Sequence, residues 1–360
     1  MPNRYQITGT LGKGGVCEVF RAIELNRKEE VAIKRLLPLN ETRLNEPQAN
    51  GLRREIMALT QLKHPNVIRL LEYGEDEEGP FAVLELIEGE SLYDVIQEGA
   101  LTYPDFLDVA RQTLSALCAA DEVRLLHRDL KPGNIMLSMN EAGRLEAKIL
   151  DFGGSKLLDR PSLQTVDHKG SIIGSVDYIA PEQLDLQPLD PRTDLYSLGC
   201  IFYFCLAQTP PFHGYSPAET VQNHLEHDVK PLHLLRKDIP MIISDWIMKL
   251  IERDPDDRPV GARHALTLLE NISVLEQTPG ARLDDLDDLA APLSSSTVLP
   301  QPLTRVESHH AAPAEETAEA AIEESPVQAT QAGENLLGAT LLLDFSPDTF
   351  APQSDGKPPG

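Results

Sequence analysis

A change of hydrophobic period near Gly89 is the strongest constraint on what this chain can fold into. Before it, "YQITGTLGKGG", "VCEVFRAIE" and "EEVAIKRLL" alternate apolar and polar residues between glycine or charged turns, the pattern of half-buried strands. One helical stretch interrupts them, "NGLRREIMALTQL", with Leu52, Ile56 and Leu59 on one face; "NVIRLLEYGE" and "GPFAVLELIE" then read as strands again. After Gly89 long helical patterns take over, in "DFLDVARQTLSALCAADE", "DLYSLGCIFYFCLA", "SPAETVQNHL" and "MIISDWIMKLIE". Strands first and helices afterwards predict an α+β chain of two lobes. The smaller, β-rich lobe with one key helix covers about residues 5–88, and the larger helical lobe about 89–272.

Patterning fades beyond about Ile272. From Asn271 to Gly360 there are 15 Asp and Glu against 3 Lys and Arg, a net of -12 out of -25 for the 360 residues. Residues 273–360, rich in Pro, Ala and Glu, are therefore expected to form a disordered acidic tail, with Leu341 to Phe350 as a short docking motif for a partner. The acidity argues against nucleic acid or an anionic membrane surface, both of which need clustered cations. No window reaches the roughly 18 apolar residues of a membrane helix, and the N-terminal "MPNRYQITGT" has no apolar core of a signal peptide. Cys17, Cys118, Cys200 and Cys205 lack metal-binding spacing and read as reduced thiols. A soluble, cytoplasmic protein is expected.

The chemistry-bearing residues fall in loops and at strand ends. "LGKGGVCEV" places Gly12, Gly14 and Gly15 between two strand patterns, where backbone amides can approach a phosphate chain without a Cβ in the way. The same residues also suit an ordinary hairpin. In "VAIK", Ala32 and Lys34 share one face of a strand. Glu55 lies three residues after Leu52 and four before Leu59, inside an apolar stripe where a carboxylate is costly unless paired. An inward Glu needs an inward cation, and Lys34 is the candidate. "HRDLKPGN" crowds Asp129, Lys131 and Asn134 onto a loop set by Pro132 and Gly133, and "ILDFGGSK" ends a strand on Asp151. Asn134 and Asp151 are oxygen donors of the kind Mg2+ accepts.

These motifs, with "APE" at Ala180 to Glu182, "DLYSLG" from Asp194 and "DPDDRP" with Arg258, stand in the order found in eukaryotic-like protein kinases. The chain resembles that family, in its bacterial serine/threonine form, over about Tyr5 to Ile272; chance agreement of so many ordered motifs is negligible. The resemblance implies a two-lobed kinase fold, ATP as phosphoryl donor, Mg2+ (with Mn2+ as a substitute) and protein Ser/Thr hydroxyls as acceptors. It makes Asp129, Lys131, Lys34 and Glu55 the catalytic set, and Asn134 and Asp151 the metal ligands. ATP would lie against Leu11, Gly12, Lys13, Gly14, Gly15, Val16, Cys17, Glu18, Val19, Ala32, Lys34 and Met136. Leu84 would be the gatekeeper and Glu85 to Ile87 the hinge. Glu182 and Arg258 would form a structural ion pair, and Asp194 would brace the catalytic loop. Arg128 beside Asp129 implies an activation segment ordered by phosphate, with Ser171 and Thr165 as the candidate sites.

Two departures from the family pattern stand out. Cys17 replaces the third glycine of the loop. Gly133 and Ser91 stand where arginine-selecting kinases carry acids, which puts in doubt a preference for arginine upstream of the target. Three alternatives are a pseudokinase scaffold, a small-molecule kinase of related fold, and a protein whose tail is its working part. Loss of Lys34, Asp129 or Asp151 would favour the first, and all are present. Small-molecule kinases lack the "APE" segment.

Overall fold

The period-2 alternation of the first third closes into a five-stranded antiparallel sheet. In the computed structural model, which describes residues 4–13, 17–36, 46–77, 79–140, 142–152, 156–157 and 176–275, β1 (Tyr5–Lys13), β2 (Cys17–Glu24), β3 (Glu29–Leu36), β4 (Leu70–Asp76) and β5 (Gly79–Glu85) run in the order β1-β2-β3-β5-β4. Register fixes what each face carries. Val19 pairs with Lys34 and Arg21 with Ala32, while Ala32 pairs with Leu84 and Lys34 with Ala82. Ala22, Val31, Ile33, Phe81 and Val83 alternate with these and form a separate small core on the opposite face.

Helix α1 (Glu46–Gln61) packs on β3, β4 and β5. It begins four residues before the expected Asn50, and it buries Leu52, Ile56 and Leu59 as its spacing predicts. Strand β4 begins only at Leu70, because Val67 instead bridges to Ile149 in the other lobe and pulls the preceding segment off the sheet.

The helical lobe is built around α5 (Pro191–Ala207), in which every residue from Thr193 to Leu206 is buried. A helix apolar on all sides belongs at the centre of a domain. Gly199 lets a neighbour come close: a Cβ there would meet Leu250 Cβ and Ile251 Cγ2, each at 2.7 Å. Around α5 stand α3 (Tyr103–Glu122), α8 (Met241–Leu250) and α9 (Ala262–Leu275), with α2 (Leu92–Glu98), α4 (Pro181–Leu184), α6 (Pro217–Glu226) and α7 (Leu232–Leu235) at the margins. Thr102 caps α3 and Ser91 caps α2 through their side chains. A small sheet of β6 (Glu90–Ser91), β8 (Ile135–Met139) and β9 (Leu145–Ile149) carries the polar loops, and two-residue β7 (Leu125–Leu126) pairs with β10 (Lys156–Leu157). Two-lobed α+β architecture is thus what the chain adopts. No helix among the described residues is long and apolar enough to cross a membrane.

Some buried polar groups in this lobe pair side chain to side chain. Arg258, fully buried, donates to both Glu182 oxygens at 2.7 and 2.9 Å and lies 4.7 Å over the Tyr196 ring. The Tyr196 hydroxyl is 2.7 Å from His224 Nδ1, and the His224 ring leans on Phe212 at 4.6 Å. Burial pushes the His224 imidazole down from 6.5 to about 4, only partly opposed by the Asp177 carboxylate. Between those values the unfolded chain binds a proton that the native state refuses. The stability His224 contributes is therefore complete above its unfolded pKa and lost as pH falls toward about 4. Unfolding free energy should drop by about 2 kcal/mol from this residue between about pH 7.5 and about pH 5, and His224→Gln should flatten that part of the denaturant-titration profile.

Candidate active site

Cys17, Val19, Ala32, Lys34 and Leu84 meet over a cavity of about 810 Å³ between the lobes, a volume suited to a mononucleotide-sized ligand. Leu11 and Gly12 cover it from β1, Glu85 and Ile87 close its back, and Met136, Asn134 and Asp151 line its floor. Gly89 passes directly against the Leu137 carbonyl, too close for any Cβ, so the segment after Glu85 turns tightly into the helical lobe.

At the inner end of the cavity Lys34 Nζ lies 2.9 and 2.8 Å from the two Glu55 oxygens and 2.9 Å from Asp151 Oδ1. Burial opposes the ammonium, but Glu55 and Asp151 outweigh it and hold the Lys34 pKa above the ordinary lysine value. Burial also raises the Glu55 carboxyl, against the lowering by Lys34. Asp151 sits at φ 53, a left-handed conformation uncommon for any residue but glycine and tolerated where a site demands it.

Outside this cavity, on the loop that carries it, Lys131 Nζ is 2.8 Å from Asp129 Oδ2. The Asn134 amide donates to the Asp129 carbonyl at 2.9 Å, which ties the floor of the cavity to the Asp129 end of the loop. Buried Asp194, on α5, accepts the backbone N–H of His127 at 2.7 Å and of Arg128 at 2.8 Å. Arg128 stands at φ 66, and its carbonyl accepts from Gln183 at 3.0 Å. Burial lowers the Arg128 guanidinium pKa; Asp194 opposes the shift and Arg54 adds to it.

Not every expected residue lines the cavity. Lys13 and Glu18 lie outside it and approach each other at 3.8 Å across the hairpin. Gly14, Gly15, Val16, Ser171, Thr165 and Leu341 to Phe350 fall outside the described residues. Cys17 is half-buried, and burial pushes its thiol up to about 11, so it stays protonated at neutral pH.

The family model described as "Protein kinase domain" matches residues 5–268. The chain belongs to the protein kinase family. A probable serine/threonine-protein kinase of Clostridium perfringens is 34% identical over 271 residues, covering 75% of this chain and 38% of its own. The serine/threonine-protein kinase pkn2 of Myxococcus xanthus is 31% identical (73% and 31% covered), and PknB of Mycolicibacterium smegmatis is 30% identical (72% and 41%). This kinase chain thus spans between about a third and two fifths of the length of these curated relatives.

Several contacts around the cavity have no signal of their own in the sequence. His127 Nε2 is 2.9 Å from the Leu150 carbonyl, and its ring lies 4.6 Å from that of Phe152, so the loop carrying Asp129 is locked to the segment carrying Asp151. Arg21 and Ile68 line the cavity through strand register and through the Val67–Ile149 bridge, both non-local. Glu85, expected only as hinge backbone, spends its carboxylate on Lys148 Nζ at 2.7 Å and the Arg69 N–H at 2.9 Å. Removing the brace beneath the loop should be costly: Asp194→Ala strands two buried N–H groups and should lower unfolding free energy by about 3 kcal/mol in denaturant titration, with Asp194→Asn losing less.

Proposed function

We propose that the chain is a serine/threonine protein kinase that transfers the γ-phosphoryl group of ATP to hydroxyls of protein substrates. The observation that carries this reading is the ammonium of Lys34 held between Glu55 and Asp151 at the end of the nucleotide-sized cavity. A cation so fixed is preorganised to meet the α and β phosphates without reorganising when they arrive.

The donor set fits a divalent cation. Asn134 uses its amide nitrogen on Asp129, which leaves its side-chain oxygen for a metal, and Asp151 supplies a half-exposed carboxylate. Two such donors suit Mg2+, with Mn2+ as a substitute, because Mg2+ keeps most of its shell for phosphate oxygens and water. Among the described residues there is no group of three or more His, Cys, Asp and Glu that could hold a metal, so a closed zinc-type site does not fit. A divalent cation held by Asn134 and Asp151 would supply positive charge to the phosphate oxygens.

The remaining work falls to the chain's own groups. Asp129 orients the acceptor hydroxyl and takes its proton, and Lys131, 2.8 Å away, offsets negative charge on the group in transfer. Val19, Ala32, Leu84 and Met136 hold the base between apolar surfaces. Phosphate on Thr165 or Ser171 would pair with Arg128 and order the segment before "APE". The tail beyond α9 recruits a partner, and the four cysteines, free of disulfides, suit a cytoplasmic setting.

Asp129→Asn and Asp151→Asn should each abolish transfer to a generic protein substrate, and Lys34→Met should give a folded, inactive protein. In calorimetry Asp151→Asn should also weaken Mg-ATP binding more than Asp129→Asn does, because of the two only Asp151 is a metal donor. Mass spectrometry should find phosphate on Thr165 or Ser171 in wild type and none in Asp129→Asn. Full activity of any of the three variants would overturn the assignment.

A chain ending near Glu276 should melt cooperatively and retain that generic activity. Loss of folding on truncation would place part of the tail in the core.

A further inference from the structure

A second cavity, of about 440 Å³, opens beside Lys131 on the far side of the catalytic loop. Its walls are Pro132 and Gly133 of the loop, Pro210, and the rings of Tyr93, Tyr178 and Phe204. The three rings form one surface: Tyr93 stacks on Phe204 at 6.1 Å, and Tyr178 meets Phe204 edge-on at 6.3 Å. Tyr178 and Phe204 belong to the core, whereas Tyr93 stands 47% exposed on α2 with its ring in the cavity wall. The helix that carries it is fixed at its start by the Ser91 cap and packs on the turn Pro132–Asn134, so the wall is rigid.

The polar groups of this cavity are few and already have partners. Its one lining carboxylate, Asp177, is 2.9 Å from His213 Nδ1, and Lys131 is 2.8 Å from Asp129. A guanidinium entering here would lose water and meet a single carboxylate that His213 already engages, with Lys131 beside it. An aromatic or branched aliphatic side chain would instead gain apolar contact on three rings. Gly133 leaves the space open, since a Cβ built on it meets nothing within 4 Å.

We propose that this cavity is the specificity subsite of the enzyme and takes a large apolar side chain, Phe or Leu, near the phosphoacceptor in the substrate. Tyr93 is the specificity-determining residue, and the missing side chain at Gly133 is what makes room. The inference rests on the kinase reading above, because the pocket matters only if Asp129 acts on a peptide hydroxyl.

The test is a set of peptides with one serine acceptor in an alanine background. Phe, Leu, Arg or Glu is placed in turn at each of the flanking positions, and kcat/KM is measured with Mg-ATP for the full chain. At one flanking position Phe or Leu should exceed Ala by about tenfold or more, and Arg should not. Tyr93→Ala should collapse that ratio toward one. Gly133→Glu, which places a carboxylate in the cavity, should move the preference at the same position to Arg. A wild-type preference for Arg, no apolar preference at any position, or a preference that survives Tyr93→Ala overturns the subsite. Should the chain phosphorylate itself but none of the peptides, the subsite alone fails; should it transfer phosphate to nothing, the kinase reading fails with it.

Discussion

An ammonium held by two carboxylates from different parts of the chain is the constraint on which the rest of the site depends. Lys34 comes from a strand, Glu55 from the helix behind it, and Asp151 from the end of a strand in the other lobe. None of the three could be buried or half-buried alone without a large desolvation cost, so the pairing ties the placement of β3, α1 and the Asp151 turn to one another. The cation face of the cavity therefore exists only when both lobes are in register. A small shift of α1 would break the pair as surely as a mutation.

The helical lobe supplies the rigidity that this arrangement needs. Asp194 on the buried helix α5 holds two backbone amides of the loop that carries Asp129, and Arg258 binds Glu182 with two hydrogen bonds in the interior. Removing one partner of such a buried pair typically costs about 3–5 kcal/mol, because the other is left charged and uncompensated. The left-handed φ at Arg128 sits on the Asp194 anchor, and that at Asp151 sits beside the Lys34 pair. Strain of this kind persists only where the surroundings over-determine the backbone. Rigid support beneath a loop that aims Asp129 and Asn134 is what phosphoryl transfer asks of a protein, since the chemistry is mostly positioning and charge.

Much of this was legible in the sequence, for identifiable reasons. Strand alternation placed Ala32 and Lys34 on one face, and Glu55 betrayed its partner by standing in an apolar stripe; both are local signals. The first turn of α1 is hard to read because "EPQA" before Asn50 offers the stripe only the small Ala49. Helices α2, α4 and α7 are too short to show a period, and the two-residue strands β6, β7 and β10 have none at all. By contrast, Ala265, Leu268, Leu269 and Ile272 repeat at helical spacing in α9, a local signal of that helix although no motif marks it. The contacts of His127 with Leu150 and Phe152, and the arrival of Ile68 at the cavity, depend on segments far apart in the chain and leave no local trace. Roles for Asp194 and Arg258 came from the family resemblance alone.

The central claim is that this geometry transfers a phosphoryl group rather than merely holding a nucleotide. The direct measurement is incubation of the purified chain and a generic protein substrate with ATP labelled at the γ position, with and without a divalent cation. The account predicts cation-dependent label on serine and threonine, and none when the label is at the α position. Nucleotide binding with no γ-label transferred under any cation would contradict it and leave a binding module on a kinase fold.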